Sequence, residues 1–303
     1  MQFGYKQLDP RYQLLDAVVN SINFASYFLV LGALGFRIGV VGRFRNMSPE
    51  TRAILRPDEA ARIGMLGVAL LAFSLVAGPW EQAVANHTSY YESLVRNSGT
   101  WPALVPLLVK LAVLAFAFVG FAMGRKGSSV GWAMAGLGSF TVVLQPMVGG
   151  DIFKRVNTVH IIAVAIWLGT LLVLTVIGIR GVSKSSASGI QRSKLIADLV
   201  NIFSPLALIG FTIAALAGVW TAWLHLKRFS SLWTTPWGWV FDVKLLLALT
   251  VISLGAWNWR RVRPSLGGEG SEEAIRKSAR RELTVAFLVV LVTSFLVTIP
   301  RPK

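Results

Sequence analysis

The sequence predicts an all-α polytopic membrane protein of eight transmembrane helices, with both termini outside the cytoplasm. Three observations predict it: a surplus of apolar residues, long uninterrupted apolar runs, and an alternating placement of Lys and Arg. Apolar residues make up 54% of the 303 residues, charged residues only 15%, and mean hydropathy is +0.61. A soluble domain carries about 25% charged residues. A chain of this length cannot build a core that would hide such a surplus from water. A bilayer supplies the missing apolar surroundings, so lipid is the first expected partner.

A helix needs about 20 apolar residues to cross the hydrocarbon core. Eight stretches meet or approach this: Asn20–Val41, Gly64–Ala85, Pro102–Met123, Gly131–Val148, Thr158–Ile179, Ile202–Leu224, Trp239–Trp259 and Leu283–Ile299. The fourth and the last are short. The first 19 residues lack a compact apolar region behind a basic start, so they read as an extramembrane lead into the first span rather than a cleavable leader. The polar stretches Ser183–Ser193 and Gly267–Ser278 are too short to fold by themselves. Residues 1–303 therefore read as one membrane domain.

Orientation follows from the basic residues. Of thirty Lys and Arg, eighteen fall in the loops after spans one, three, five and seven, among them Arg43, Arg56, Arg62, Arg125, Arg180, Lys194 and Arg281. By the positive-inside rule those loops face the cytoplasm of a bacterial inner membrane. The net charge of +16 is thereby a topology signal, and no nucleic-acid partner is expected. Trp80, Trp101, Trp220, Trp223, Trp233, Trp237 and Trp239 cluster at the outer ends of spans, and Trp132, Trp257 and Trp259 at the inner ends. Indole rings favour the headgroup level, so belts account for most of them.

A weak internal repeat is visible. Pro102 stands eight residues before Lys110 in a Val-Lys-Leu triplet, and Pro236 stands eight before Lys244 in another. Gly78-Pro79-Trp80 is matched by Gly218-Val219-Trp220. Repeat halves 20–148 and 158–299 would each hold four spans in the same orientation, related by an axis along the membrane normal.

The residues able to carry chemistry are few. The chain has no cysteine, which excludes disulfides and thiolate metal ligands. No hydrolase triad, P-loop, dinucleotide fingerprint or HExxH occurs, so no enzyme is expected. All three histidines lie toward the outer side: His87 after span two, His160 opening span five, His225 closing span six. Met147, at the outer end of span four, joins them. Imidazole and thioether together suit copper, thioether favouring Cu(I). His87 also reads as an exposed loop residue, and His225 as an interfacial side chain beside Lys227. His160 is the stronger candidate, since an ionisable group inside a span is costly and marks a site by default. Trp167 shares its helix face, seven residues on. It reads first as packing, otherwise as a π face near a cation. Arg37, Glu81, Lys110, Asp242 and Lys244 are the other charges in or near spans. Glu81 and Lys110 are placed to pair between helices, as architecture or along a transport path. Asp242 and Lys244, two residues apart, fall on different faces of one helix.

From residue 157 to 302 the chain resembles the copper-resistance protein D (CopD) family of bacterial inner-membrane proteins. The residues that carry the resemblance are His160-Ile-Ile-Ala-Val-Ala-Ile-Trp167-Leu-Gly169, Phe203-Ser204-Pro205, Gly218, Thr235-Pro-Trp-Gly238, Lys244, Asn258, Pro264, Glu282 and Pro300. The resemblance implies an eight-span protein that handles copper, with His160 as a ligand. It also implies a periplasmic copper-binding partner, and no organic cofactor is expected. One segment departs from the pattern. Where many members carry Gly-His-Ala at the outer end of span four, this chain reads Gln145-Pro-Met-Val-Gly-Gly-Asp151, leaving Met147 or Asp151 to substitute.

Three functions compete at this level. The first is a copper permease with His160, Met147, His225 and His87 as metal donors. The second is a membrane assembly factor for a copper enzyme, docking through its basic loops. The third is a b-type haem carrier, which would need His160 and His225 as paired axial ligands.

Overall fold

The computed structural model describes residues 10–44, 48–98, 104–226, 228–262 and 271–300, and every element among them is helical. In chain order these are α1 (Pro10–Gly35), α2 (Pro49–Leu55), α3 (Pro57–Asn86), α4 (Tyr90–Ser98), α5 (Leu104–Arg125) and α6 (Ser129–Leu144). There follow α7 (Ile152–Val173), α8 (Arg180–Ser183), α9 (Gly189–His225), α10 (Ser231–Thr234), α11 (Pro236–Trp257) and α12 (Ser271–Leu296). Three helices continue into a widened π turn at the same end of the bundle. These are Phe36–Val40 after α1, Leu174–Ile179 after α7 and Asn258–Val262 after α11.

Seven helical stretches are long and apolar enough to cross a membrane: Tyr12–Arg43, Pro49–Asn86, Leu104–Arg125, Ser129–Met147, Ile152–Ser183, Gly189–Leu224 and Pro236–Arg260. The protein is thus a polytopic helical membrane protein. The eighth predicted stretch lies on α12, which carries Arg280, Arg281 and Glu282 just before its apolar part. Leu283–Leu296 rises roughly 20 Å at 1.5 Å per residue, less than the ~30 Å hydrocarbon core. The chain then leaves the helix through a turn at residues 297–299.

Helix starts follow ordinary capping chemistry. Ser128 Oγ accepts from the Gly131 amide, Asp151 from Lys154, and Thr235 from Gly238, with Pro236 at the first helical position. Ser188 and Gln191 form a reciprocal capping box at the start of α9. Each satisfies backbone donors that a helix N-terminus leaves open.

The centre of the bundle is the crossing of α1 and α7. At Gly32 and Gly169 the two backbones touch, and a Cβ on either would collide with the other helix's main chain. Without water to drive helices together, close approach of small residues is what holds such crossings. α3 lies against α1 at Gly67, close to Leu29 and Val30. α5 and α6 meet through Gly120, Gly131 and Gly138. Phe36, Leu31, Leu174 and Leu199 are fully buried around this centre. Many large apolar side chains elsewhere stay exposed, among them Leu208, Leu246, Leu249 and Phe287, as expected of faces turned to lipid.

The structure amends three further sequence expectations. The first helix begins at Pro10, so residues 10–19 extend the first span instead of leading up to it. The stretch Gly267–Ser278 is helical from Ser271, and residues 263–270, including Pro264, lie outside the described residues. Trp132 and Trp237 are not belt residues: they are 6% and 4% exposed. Trp132 stands edge-on to Phe121 with its face 5.9 Å from the Arg37 guanidinium carbon, and Trp237 stacks on Phe241 at 5.0 Å. Trp80, Trp223, Trp233 and Trp239 remain more than half exposed, as belts require.

Candidate functional site around His160

His160 sits in the third turn of α7, with its ring laid against α9. Its Nδ1 is 2.7 Å from the carbonyl oxygen of Ala214. A carbonyl only accepts, so this bond places the proton on Nδ1 and leaves the Nε2 lone pair bare. No hydrogen bond to Nε2 is formed among the described residues. Metal-binding histidines are commonly held this way, one nitrogen donating to a backbone carbonyl while the other is presented.

Gly218, one turn beyond Ala214, provides the space for the ring. A Cβ at position 218 would stand 3.0 Å from His160 Cε1 and 3.1 Å from Nδ1. The arrangement repeats two turns further down. Trp167, on the same face of α7, packs against Gly210, where a Cβ would stand 2.9 Å from Trp167 Cβ. Its ring meets Phe211 edge-on at 5.4 Å. The packing reading of Trp167 fits these contacts. Gly210 and Ala214 were not legible as site residues from spacing alone, because nothing in one helix announces which neighbour it faces.

Position 225 lies seven residues beyond Gly218, so it falls on the same face of α9. It is roughly 10 Å further along the axis at 1.5 Å per residue. Its side chain lies outside the described ones. Lys244, on α11, is close enough for its charge to act on the His160 ring. Asp242, two residues earlier, is exposed and forms no ion pair among the described residues.

The remaining candidates are spread over the outer ends of other helices. Met147 ends the 3₁₀ turn Gln145–Met147 after α6 and is half-buried. Asp151 is the N-cap of α7, its Oδ1 accepting from the Lys154 amide at 2.8 Å, so capping occupies its carboxylate. His87 is the C-cap of α3 in left-handed conformation (φ 52), exposed, with Tyr12 edge-on at 6.5 Å.

The pairing of Glu81 with Lys110 is not formed. Among the described residues the ion pairs are those of Glu59 with Arg56 and Arg62. Glu81 is 3% exposed and lies near Asp16 of α1, which in turn accepts from Asn20 Nδ2 at 2.7 Å. Glu81 therefore faces α1 and not the lysine on α5. Asp16 escaped the sequence reading because the first span was begun at Asn20. The signal was present in the four-residue spacing of Tyr12, Asp16 and Asn20.

Among the described residues no three of His, Asp and Glu gather into a cage. What the bundle offers is a single oriented imidazole inside a polytopic membrane protein. The class of membrane protein is given by comparison: the model of the family described as "Copper resistance protein D" (CopD) matches residues 197–296. The match covers 100 of the 303 residues; it is consistent with a CopD-family protein and indicates a relation to copper resistance. The matched stretch runs from α9 to the end of α12. It contains Pro205, Gly218, Lys244, Asn258 and Glu282, and it stops short of His160 and Trp167 on α7. No curated protein and no solved structure matches.

Within the matched stretch a second polar constellation ties α11 to α12. Asn258, in the widened turn after α11, donates through Nδ2 to Glu282 and accepts at Oδ1 from the Ser278 hydroxyl. Glu282 is buried. The network joins the last two helices at the end where basic residues concentrate.

Proposed function

We propose that the protein carries copper across the bacterial inner membrane, with His160 as a transient ligand on the path. The observation that carries this reading is the presentation of Nε2 in the interior, with Nδ1 fixed to Ala214 and Gly218 making room for the ring. One imidazole with no surrounding cage among the described residues suits an ion that must leave again. A tight resident site would oppose release. Position 225, on the same face of α9 and nearer the mouth, offers an earlier station, with Met147 as a thioether donor at the end of span four. The N-terminus then faces the periplasm, as the distribution of Lys and Arg supports, and a periplasmic copper-binding protein would deliver the ion.

The test is copper content and copper accumulation with and without the imidazole. Purified protein should take up Cu(I) in a manner that His160→Ala abolishes. Cells expressing that variant should lose the copper accumulation that the wild type confers. Unchanged accumulation in cells whose membranes hold normal amounts of folded His160→Ala would sink the reading. A visible Soret band in the purified protein would instead favour haem.

A further inference from the structure

At the end of the bundle that holds the α1–α3 and α7–α9 connections, a cleft of about 1380 Å³ opens between α2, α3, α8 and α9. It is larger than the roughly 300–1,000 Å³ of a drug-sized ligand site. Five basic and three acidic side chains line it. The charges are not evenly matched in space. A single oxygen of Glu59 serves both Arg56 and Arg62, each at 2.8 Å. The side chains of Arg180, Lys184 and Lys194 have no hydrogen bond or ion pair among the described residues, and all three residues are exposed. Glu50 and Asp198 are the other two carboxylates, and neither forms an ion pair there.

The walls of the cleft change character over one helical turn. On α3, Arg62 is followed four residues later by Leu66, which is 54% exposed. On the π turn leading to α8, Arg180 is preceded four residues earlier by Val176, which is 43% exposed. Residues four apart share a helix face, about 6 Å apart along the axis. α3 leaves this end of the bundle and α7 arrives at it. Both walls therefore pass from cation to aliphatic side chain in the same direction, toward the middle of the membrane.

We propose that this cleft binds an anionic phospholipid, its phosphate among Arg180, Lys184 and Lys194 and an acyl chain along Leu66 and Val176. Guanidinium and ammonium groups together suit a phosphate oxygen cluster. Basic pockets between transmembrane helices are where acidic headgroups are held. A soluble phosphate would use the cations but has nothing to place on the two exposed aliphatic side chains, and this decides for the lipid. The site is independent of the copper path, so its failure would leave that reading untouched.

The experiment is native mass spectrometry of the detergent-purified protein, with phosphatidylglycerol and phosphatidylcholine offered in equal amounts. Phosphatidylglycerol should be retained in preference. Each basic side chain beside an anionic lipid contributes about a factor of five, so Arg180→Ala with Lys184→Ala should reduce that preference about thirtyfold. Arg125→Ala with Lys126→Ala, the same loss of charge in the α5–α6 turn, should leave it in place. Leu66→Ser with Val176→Ser should weaken lipid retention while all three cations remain, and millimolar inorganic phosphate should not displace the lipid. Equal retention of the two lipids would overturn the proposal. So would an unchanged preference in the Arg180/Lys184 variant, an equal loss in the Arg125/Lys126 control, or displacement by inorganic phosphate.

Discussion

Replacing Gly218 by alanine isolates the role of the His160 ring from the stability of the bundle. The added Cβ would stand 3.0 Å from Cε1 and 3.1 Å from Nδ1, where ordinary contact begins at 3.4 Å. The ring has to move away from α9 by about half an ångström, since tighter contacts are strongly repulsive. α9 could retreat only by opening its close packing of Gly210 on Trp167. The acceptor of the Nδ1 bond, Ala214 O, also belongs to α9, so the displacement stretches a 2.7 Å hydrogen bond. Weakening that bond costs about 1 kcal/mol. Alanine in place of a mid-helix glycine returns about 1 kcal/mol of helix propensity. Overall stability should therefore stay close to wild type, while the presented nitrogen is misplaced. Disturbing the group that orients a ligating histidine lowers metal affinity about 10- to 100-fold. Copper bound per protein at limiting free copper, measured on folded material, should fall accordingly. In a His160→Ala background the same substitution should change nothing further. Gly255→Ala, where a Cβ meets open space, is the control. If Gly218→Ala bound copper like wild type, with the fold intact, the assignment of Nε2 as the presented ligand would be refuted.

Gly169→Ala would drive a Cβ into the Phe28 carbonyl of α1. This should cost about 1–3 kcal/mol as overpacking, read as a lowered thermal midpoint in detergent. Asn258→Ala orphans buried Glu282 and the Ser278 hydroxyl. It should destabilise by about 2–4 kcal/mol, and Asn258→Leu with Glu282→Leu should be milder, because both polar partners then leave together. His87 holds φ 52 at the end of α3, so His87→Gly should stabilise by about 1 kcal/mol. It should also leave copper accumulation unchanged, in contrast to His160→Ala.

Helix number and placement were legible in the sequence because the bilayer imposes a length and an apolar density that few other contexts require. Spans two, five, six and seven each fall within a helical stretch that the structure carries further, since capping residues such as Asp151 and Ser188 lie outside the apolar run they start. The fourth stretch, though short, is a full candidate span; the eighth is not, because its helix stops at Leu296 and Arg280, Arg281 and Glu282 stand directly before its apolar part. Within one helix the reading was sound: His160 and Trp167 do share a face. Between helices it was blind. Glu81 could have met the lysine of α5, and only the packing of α3 on α1 sets it beside Asp16 instead. Gly210 and Gly218 look like any glycines of a membrane helix until the rings opposite them are placed. The indoles of Trp132 and Trp237 were assigned to the interface by depth, but an arginine and a phenylalanine inside the bundle claim them.

The three widened turns after α1, α7 and α11 amount to one surplus residue apiece, in helices that all descend to the same membrane face. Upstream of each, sequence position maps onto azimuth by the ordinary rule; downstream, the mapping is offset by about 100°, one residue's share of a turn. Arg37 lies within the first of these turns and Asn258 opens the third, so the directions in which both reach depend on that surplus. Removing one residue from the turn after α7 would re-aim the end of that helix beyond it while leaving His160, upstream, in register.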